Sequence, residues 1–108
     1  VLDRGPQDEA ADAPASRHVG RLDLDGVGRR LWIRSRLPGD RFQPLGMSQS
    51  KKLQNFMVDS KIPRPWRDRV PLVVSPRGIA WVVGWRIAEW ARPREDRPRL
   101  LELRFRPG

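Results

Sequence analysis

The chain contains no cysteine, which rules out disulfides, thiol catalysis and Cys-based zinc sites. Its single histidine, His18, cannot build a histidine metal cluster, so no metal site is expected. No apolar run approaches the roughly 20 residues needed to span a bilayer, and no signal-peptide pattern opens the chain. A cytoplasmic protein with no membrane partner is therefore expected. The phosphate-cradling GxxxxGK[ST] loop is missing, as is a GxGxxG after a strand. Ser/His/Asp catalysis would have to use His18, beside the unpatterned N-terminal stretch. Asp40, Asp59 and Asp68 each neighbour arginines, which assigns them to salt bridges. No catalytic residue is expected. The chain opens on Val1 rather than Met, which reads as a segment of a longer protein or a processed one.

What is present is positive charge. At 108 residues the chain is long enough for one domain with its own core, and its net charge is +9. Asp3, Asp8, Glu9 and Asp12 oppose Arg4 alone in residues 1–16, a local balance of −3 that leaves +12 for residues 17–108. A basic domain of this size carries the electrostatic footprint of a nucleic-acid binder. An arginine-rich genome would write a similar excess, so the placement of the charges has to decide.

Residues 1–16 are rich in Ala, Pro and acid with no apolar period, and read as a flexible linker. The domain is expected over 17–108. Alternation predicts strands at about 19–24 and 29–36, with Asp25-Gly26 between them as a hairpin signal. Pro38-Gly39-Asp40 marks a turn and residues 37–49 a loop. A helix is expected over about 50–60, capped by Ser50 or Ser48, with Leu53, Phe56 and Met57 as its buried face. Pro63 and Pro65 forbid its continuation, Ile62 continues the packing, and one further turn is possible over 66–69. Strands are expected at 72–74 and 79–83 around a four-residue Ser75–Gly78 loop, with Gly84 as a bend. Residues 85–90 form a possible strand, and 100–105 a clean one with Leu101, Leu103 and Phe105 on one face. The fold class is α+β and β-rich: a small, layered, β-sandwich-like domain with one main helix packed on it.

The charges concentrate between Arg34 and Arg69. Arg34, Arg36 and Arg41 bracket the turn, Lys51 and Lys52 stand in the expected first turn of the helix, and Arg64, Arg67 and Arg69 follow. Cations at a helix N-terminus oppose its macrodipole unless an anion is bound there. A solvated helix face is the plainer reading for the lysines, and a bridge to Asp59 or Asp68 the plainer one for Arg67. Trp32, Trp81 and Trp85 lie in apolar runs and are expected in the core. Trp66, flanked by prolines and arginines, either stacks on a base or plugs the top of the core.

The run PGDRFQPLGMSQSKKLQNFMVDSKIPRPWRDRVPLVVS, followed by GIAWVVGWRIAEWAR, resembles the C-terminal domain of bacterial tRNA(Ile)-lysidine synthetase. Arg36, Gly39, Asp40, Arg41, Pro44, Gly46, Lys51, Lys52, Leu53, Asp59, Ile62, Pro63, Arg67, Pro71, Trp81, Val82 and Gly84 meet that family's pattern, unbroken over about residues 34–90. The resemblance implies a parent ligase that uses ATP and lysine to convert the wobble cytidine of the isoleucine tRNA with a CAU anticodon to lysidine. It places that chemistry in another domain, marked by an SGGxDS loop which is missing here, so no cofactor is expected in this stretch. It further implies a compact β-rich fold related to a domain of bacterial phenylalanyl-tRNA synthetase. The implied role is docking on the tRNA acceptor stem, with Arg36, Arg41, Lys51, Lys52, Arg64 and Arg67 as candidate RNA contacts. The alternative is a structural module that packs against the catalytic domain of the same enzyme without touching RNA.

Overall fold

A computed structural model describes residues 18–96 and 99–105; the linker expected over 1–16 lies outside them. Among the described residues the strands are β1 (Val19–Asp23), β2 (Trp32–Arg34), β3 (Arg41–Phe42), β4 (Lys51–Lys52), β5 (Leu72–Ser75), β6 (Gly78–Val82), β7 (Arg86–Ile87) and β8 (Leu100–Arg104). The helical elements are a single turn α1 (Leu24–Val27), the main helix α2 (Leu53–Asp59), and 3₁₀ turns over Arg64–Trp66 and Glu89–Ala91. The strands pair antiparallel as a four-stranded sheet, β2-β5-β6-β7, and two ribbons, β1-β8 and β3-β4. Mostly antiparallel strands with one main helix is the β-rich α+β class that the alternation predicts.

The four-stranded sheet is the central layer. Trp81 of β6 meets Phe105 edge to face, with ring centroids 5.5 Å apart, and this contact seats the β1-β8 ribbon on one face. Gly20 of β1 allows that approach, since a Cβ there would stand 2.9 Å from the Trp81 ring. Side chains alternate along a strand, so Leu72 and Val82, paired across β5 and β6, point to the other face. Both are completely buried, so the sheet is covered on both sides. Phe42 and Phe56, at 4.9 Å and 72°, join β3 to α2. Leu53, Phe56 and Met57 are buried as the helical period requires, and Ile62 joins them in the core.

Several expectations need correction. Asp25-Gly26 makes no hairpin: both residues lie in α1, where the Asp23 carboxylate accepts the Asp25 N–H at 3.2 Å as an N-cap. The chain therefore turns away after β1, which pairs with β8 at the far end of the sequence, while β2 pairs with β5. The helix expected over about 50–60 spans only Leu53–Asp59. Ser50 does not cap it, because the Ser50 hydroxyl and carbonyl accept from the Arg41 guanidinium at 3.1 and 3.2 Å. Lys51 and Lys52 are extended and paired with Phe42 and Arg41. The Leu53 N–H is satisfied instead by the Asp40 carbonyl at 2.9 Å. Trp81 is buried, but Trp32 and Trp85 are 45% and 40% exposed, not core. Trp32 lies on the edge strand β2, and Trp85 in the turn between β6 and β7 that Gly84 opens at φ 92°. The β5-β6 loop is tighter than expected, since Ser75 pairs directly with Gly78 and only Pro76 and Arg77 lie between them. The expected strand over 85–90 shrinks to β7, followed by a single bridge between Pro44 and Ala88.

Candidate nucleic-acid interface

The basic segment is organised by the turn Leu37–Asp40. Gly39 takes a φ of 86°, a left-handed conformation that residues with a Cβ rarely adopt. The turn brings the Asp40 carboxylate onto the Arg34 guanidinium in a two-pronged bridge at 2.9 and 3.0 Å, and onto the Leu37 N–H at 2.8 Å. Burial pushes the Asp40 carboxyl up, but the Arg34 hydrogen bonds, the Leu37 N–H and the Arg34 charge together hold it below the usual carboxylate range. The hydrogen bonds that Arg34 donates to Asp40 raise the Arg34 pKa in turn, against a smaller opposing effect of burial. With its carbonyl on the start of α2, Asp40 ties β2, the turn and the helix together. Its salt-bridge role matches the reading of the sequence.

Between this turn and α2 lies a cleft of about 420 Å³. Arg36, Pro38 and Asp40 line one part, Lys52 and Gln54 the helix side, and Asp68 closes it. Two of the six candidate cations, Arg36 and Lys52, therefore face one space. Arg41 stands directly opposite Lys52 across the β3-β4 ribbon, so the two side chains share a face, and both residues are exposed. Arg64 is exposed in its 3₁₀ turn, and neither Lys52 nor Arg64 forms an ion pair with any described residue.

The remaining candidates already hold protein partners. Lys51 points away from Lys52 and meets Asp59 at 2.7 Å. Arg36 meets Asp68 at 2.8 Å, which fixes the wall of the cleft to the segment that carries Arg64 and Arg67. Arg67 donates to the Ile62 carbonyl at 2.9 Å rather than to Asp59 or Asp68, and so holds the loop after α2. Two cation–π contacts are not among the sequence-based expectations: Arg69 lies over the Trp66 ring, 5.8 Å from its centroid, and Arg77 lies over Trp90 at 4.8 Å. A Trp with an Arg three residues later on a predicted turn was the available signal for the first pair. Among the described residues there is no group of acidic and histidine side chains able to hold a metal, and no helix long and apolar enough to cross a membrane.

Fold and surface thus define a small β-rich domain that displays cations along one helix-and-turn segment. The family model described as "TilS substrate C-terminal domain" matches residues 31–106, and the chain belongs to that family. It is 48% identical over 101 residues to the tRNA(Ile)-lysidine synthase of Dehalococcoides mccartyi (strain CBDB1), covering 94% of this chain and 21% of that protein. It is 37% identical over 94 residues to the tRNA(Ile)-lysidine synthase of Caldanaerobacter subterraneus subsp. tengcongensis, covering 87% and 20%. The chain therefore spans about a fifth of the length of these relatives. A solved TilS C-terminal domain superposes with a TM-score of 0.63 at 29% identity, over 84% of this chain and 73% of that one. An N-terminal fragment of the phenylalanyl-tRNA synthetase β-subunit from Pyrococcus horikoshii superposes with a TM-score of 0.72 at 16% identity, over 89% and 31%, a likeness of fold.

Proposed function

We infer that this domain docks tRNA for a tRNA(Ile)-lysidine synthase whose catalytic residues lie elsewhere in the polypeptide. Family membership supplies the enzyme. The observation that carries the docking role is the set of exposed cations on β3, β4 and the 64–66 turn, with Lys52 and Arg64 uncommitted to any described acid. The RNA is the isoleucine tRNA with a CAU anticodon, gripped at its acceptor stem while ATP and lysine are used at a distant active site in the cytoplasm. A-form duplex is read through phosphates and 2′-hydroxyls across a shallow groove. Arginine suits forked phosphate contacts and lysine acts as a point charge. Arg41, Lys52 and Arg64 make the direct contacts, Arg36 does so from the cleft wall, and Arg67 and Lys51 contribute field while holding the scaffold. Lys51 faces Asp59, so the paired-lysine phosphate clamp suggested by the sequence reduces to Lys52 with Arg41.

The test is binding of the chain to an acceptor-stem minihelix across a salt series. Replacing Lys52 by Ala weakens binding and flattens the salt slope by roughly 0.7–0.9, the value for one phosphate contact. Lys51→Ala changes the slope far less. Equal slopes for Lys52→Ala and the parent chain would remove Lys52 from the interface. A second reading draws on β2, an edge strand that exposes Ile33 at 57% beside Trp32. On that reading the domain packs against the rest of the enzyme and never meets RNA, and the chain gives no gel shift at near-physiological salt.

A further inference from the structure

We propose that Trp66 is a stacking platform for an unpaired base of the RNA, placed so that the domain reads a single-stranded end next to the duplex it grips. This rests on the docking role above and adds to it a feature that a phosphate-binding surface lacks, a contact with a base.

Three observations carry it. Trp66 is 55% exposed, so it does not plug the core. Its backbone is rigid: Pro63 and Pro65 fix two φ angles around it, the Trp66 N–H donates to the Pro63 carbonyl at 2.9 Å, and the Arg69 N–H donates to the Trp66 carbonyl at 2.8 Å. A ring held this way loses little freedom when something stacks on it. Third, its surroundings are cationic. Arg69 already lies over the ring, and Lys61, Arg64 and Arg67 flank it in sequence. The nearby acid Asp68 is occupied by Arg36. Trp and Arg are enriched at protein–protein contacts as well, but lysine such as Lys61 is depleted there, and an aromatic ring among cations is how single-stranded nucleic acid is held. Bases inside a duplex are already stacked on each other, so the ring selects an unpaired one. Arg36 and Asp68 join this platform to the cleft wall, which sets the unpaired base beside the duplex contacts of Lys52 and Arg41.

The experiment is a double-mutant cycle between protein and RNA. The chain and its Trp66→Ala and Trp66→Phe variants are titrated with a hairpin carrying a short single-stranded 3′ tail, and with the same hairpin whose tail nucleotides are abasic. Abasic tails keep the sugars and phosphates and remove the bases, and the Trp66 variants show how much of that loss belongs to the stack. The parent chain should bind the abasic probe about tenfold more weakly, the size of one base–aromatic stack. Trp66→Ala should lose about the same factor on the intact tail and nothing further on the abasic one. Trp66→Phe should recover most of the loss, and none of the variants should change the salt slope, because no charge is removed. Thermal unfolding shows that each variant is folded. Additive losses, or an intact-tail affinity that ignores Trp66, overturn the platform while leaving duplex docking in place. A parent chain that binds neither probe overturns the docking role itself.

Discussion

Gly20 and Trp81 form a pair in which one residue's lack of a side chain is the other's space. The ring lies where a Cβ would point, at 2.9 Å, and it also meets the Phe105 ring edge to face at 5.5 Å. Neither the ring nor the strand can yield without opening the contact between the ribbon and the sheet. Gly20→Ala should therefore destabilise the domain by about 1–3 kcal/mol, the usual penalty for overpacking a core, read as a lower midpoint in urea with an unchanged slope. A variant as stable as the parent would mean that the ribbon shifts freely over Trp81. The tryptophans make a related point about single residues. Trp32, Trp81 and Trp85 look alike in the sequence, each in an apolar run, yet only Trp81 is buried. Trp32 lies on an edge strand and Trp85 in a turn, and local sequence carries neither strand order nor the point where a strand gives way to a turn.

The main helix shows what an element takes from its neighbours. Its start is set by a carbonyl from the Leu37–Asp40 turn, so no capping side chain marks it in the sequence. Its end is a Schellman motif: the Ile62 N–H bonds the Met57 carbonyl at 3.0 Å, the Lys61 N–H bonds the Val58 carbonyl at 2.9 Å, and Lys61 sits at φ 59°. Glycine usually fills that position because a Cβ is strained there. Lys61→Gly should then stabilise the fold by up to about 1 kcal/mol, since relieved strain outweighs the added freedom of the unfolded chain. A loss of stability on thermal unfolding would show that the lysine stem contributes packing that outweighs its strain. The buried face of this helix was legible because a 3.6-residue period fixes it. So were the prolines that end it and the apolar runs of β5, β6 and β8. Which strand meets which was not legible. Asp-Gly reads as a hairpin turn until the partner of β1 is found some eighty residues away, beyond any local signal. The basic site was legible in its composition but not in its pairing: Lys51 and Lys52 are neighbours in the chain and point in opposite directions in a strand.

At the scale of the whole molecule, the excess positive charge repels itself, and a few committed carboxylates hold the segments that carry it. Asp40 is the chief of these, with its carboxylate on Arg34 and Leu37 and its carbonyl on the start of the helix. Glu89 plays a smaller part, its carboxyl lowered by the Gly46 N–H and then by Arg92, which anchors the 43–50 loop. Both carboxyls bind protons less readily when folded than when unfolded, where values near 4 are expected. In the window below about pH 4 the unfolded chain therefore takes up more protons, and stability rises with pH through that window. The contribution is complete above the unfolded values and is lost as pH falls through the lower, folded ones. Asp40→Asn tests this directly, because it removes the charge and keeps the size. Near neutral pH the variant should be less stable by about 1–3 kcal/mol, since a partly buried guanidinium loses its charged partner. The difference should shrink as the pH is taken well below about 4, where the parent's carboxylate is itself protonated. Urea unfolding of both chains across that range measures it. A gap that stays constant with pH would mean that Asp40 acts through shape and its backbone carbonyl alone, and that the charge on this turn does not help hold the cationic face in place.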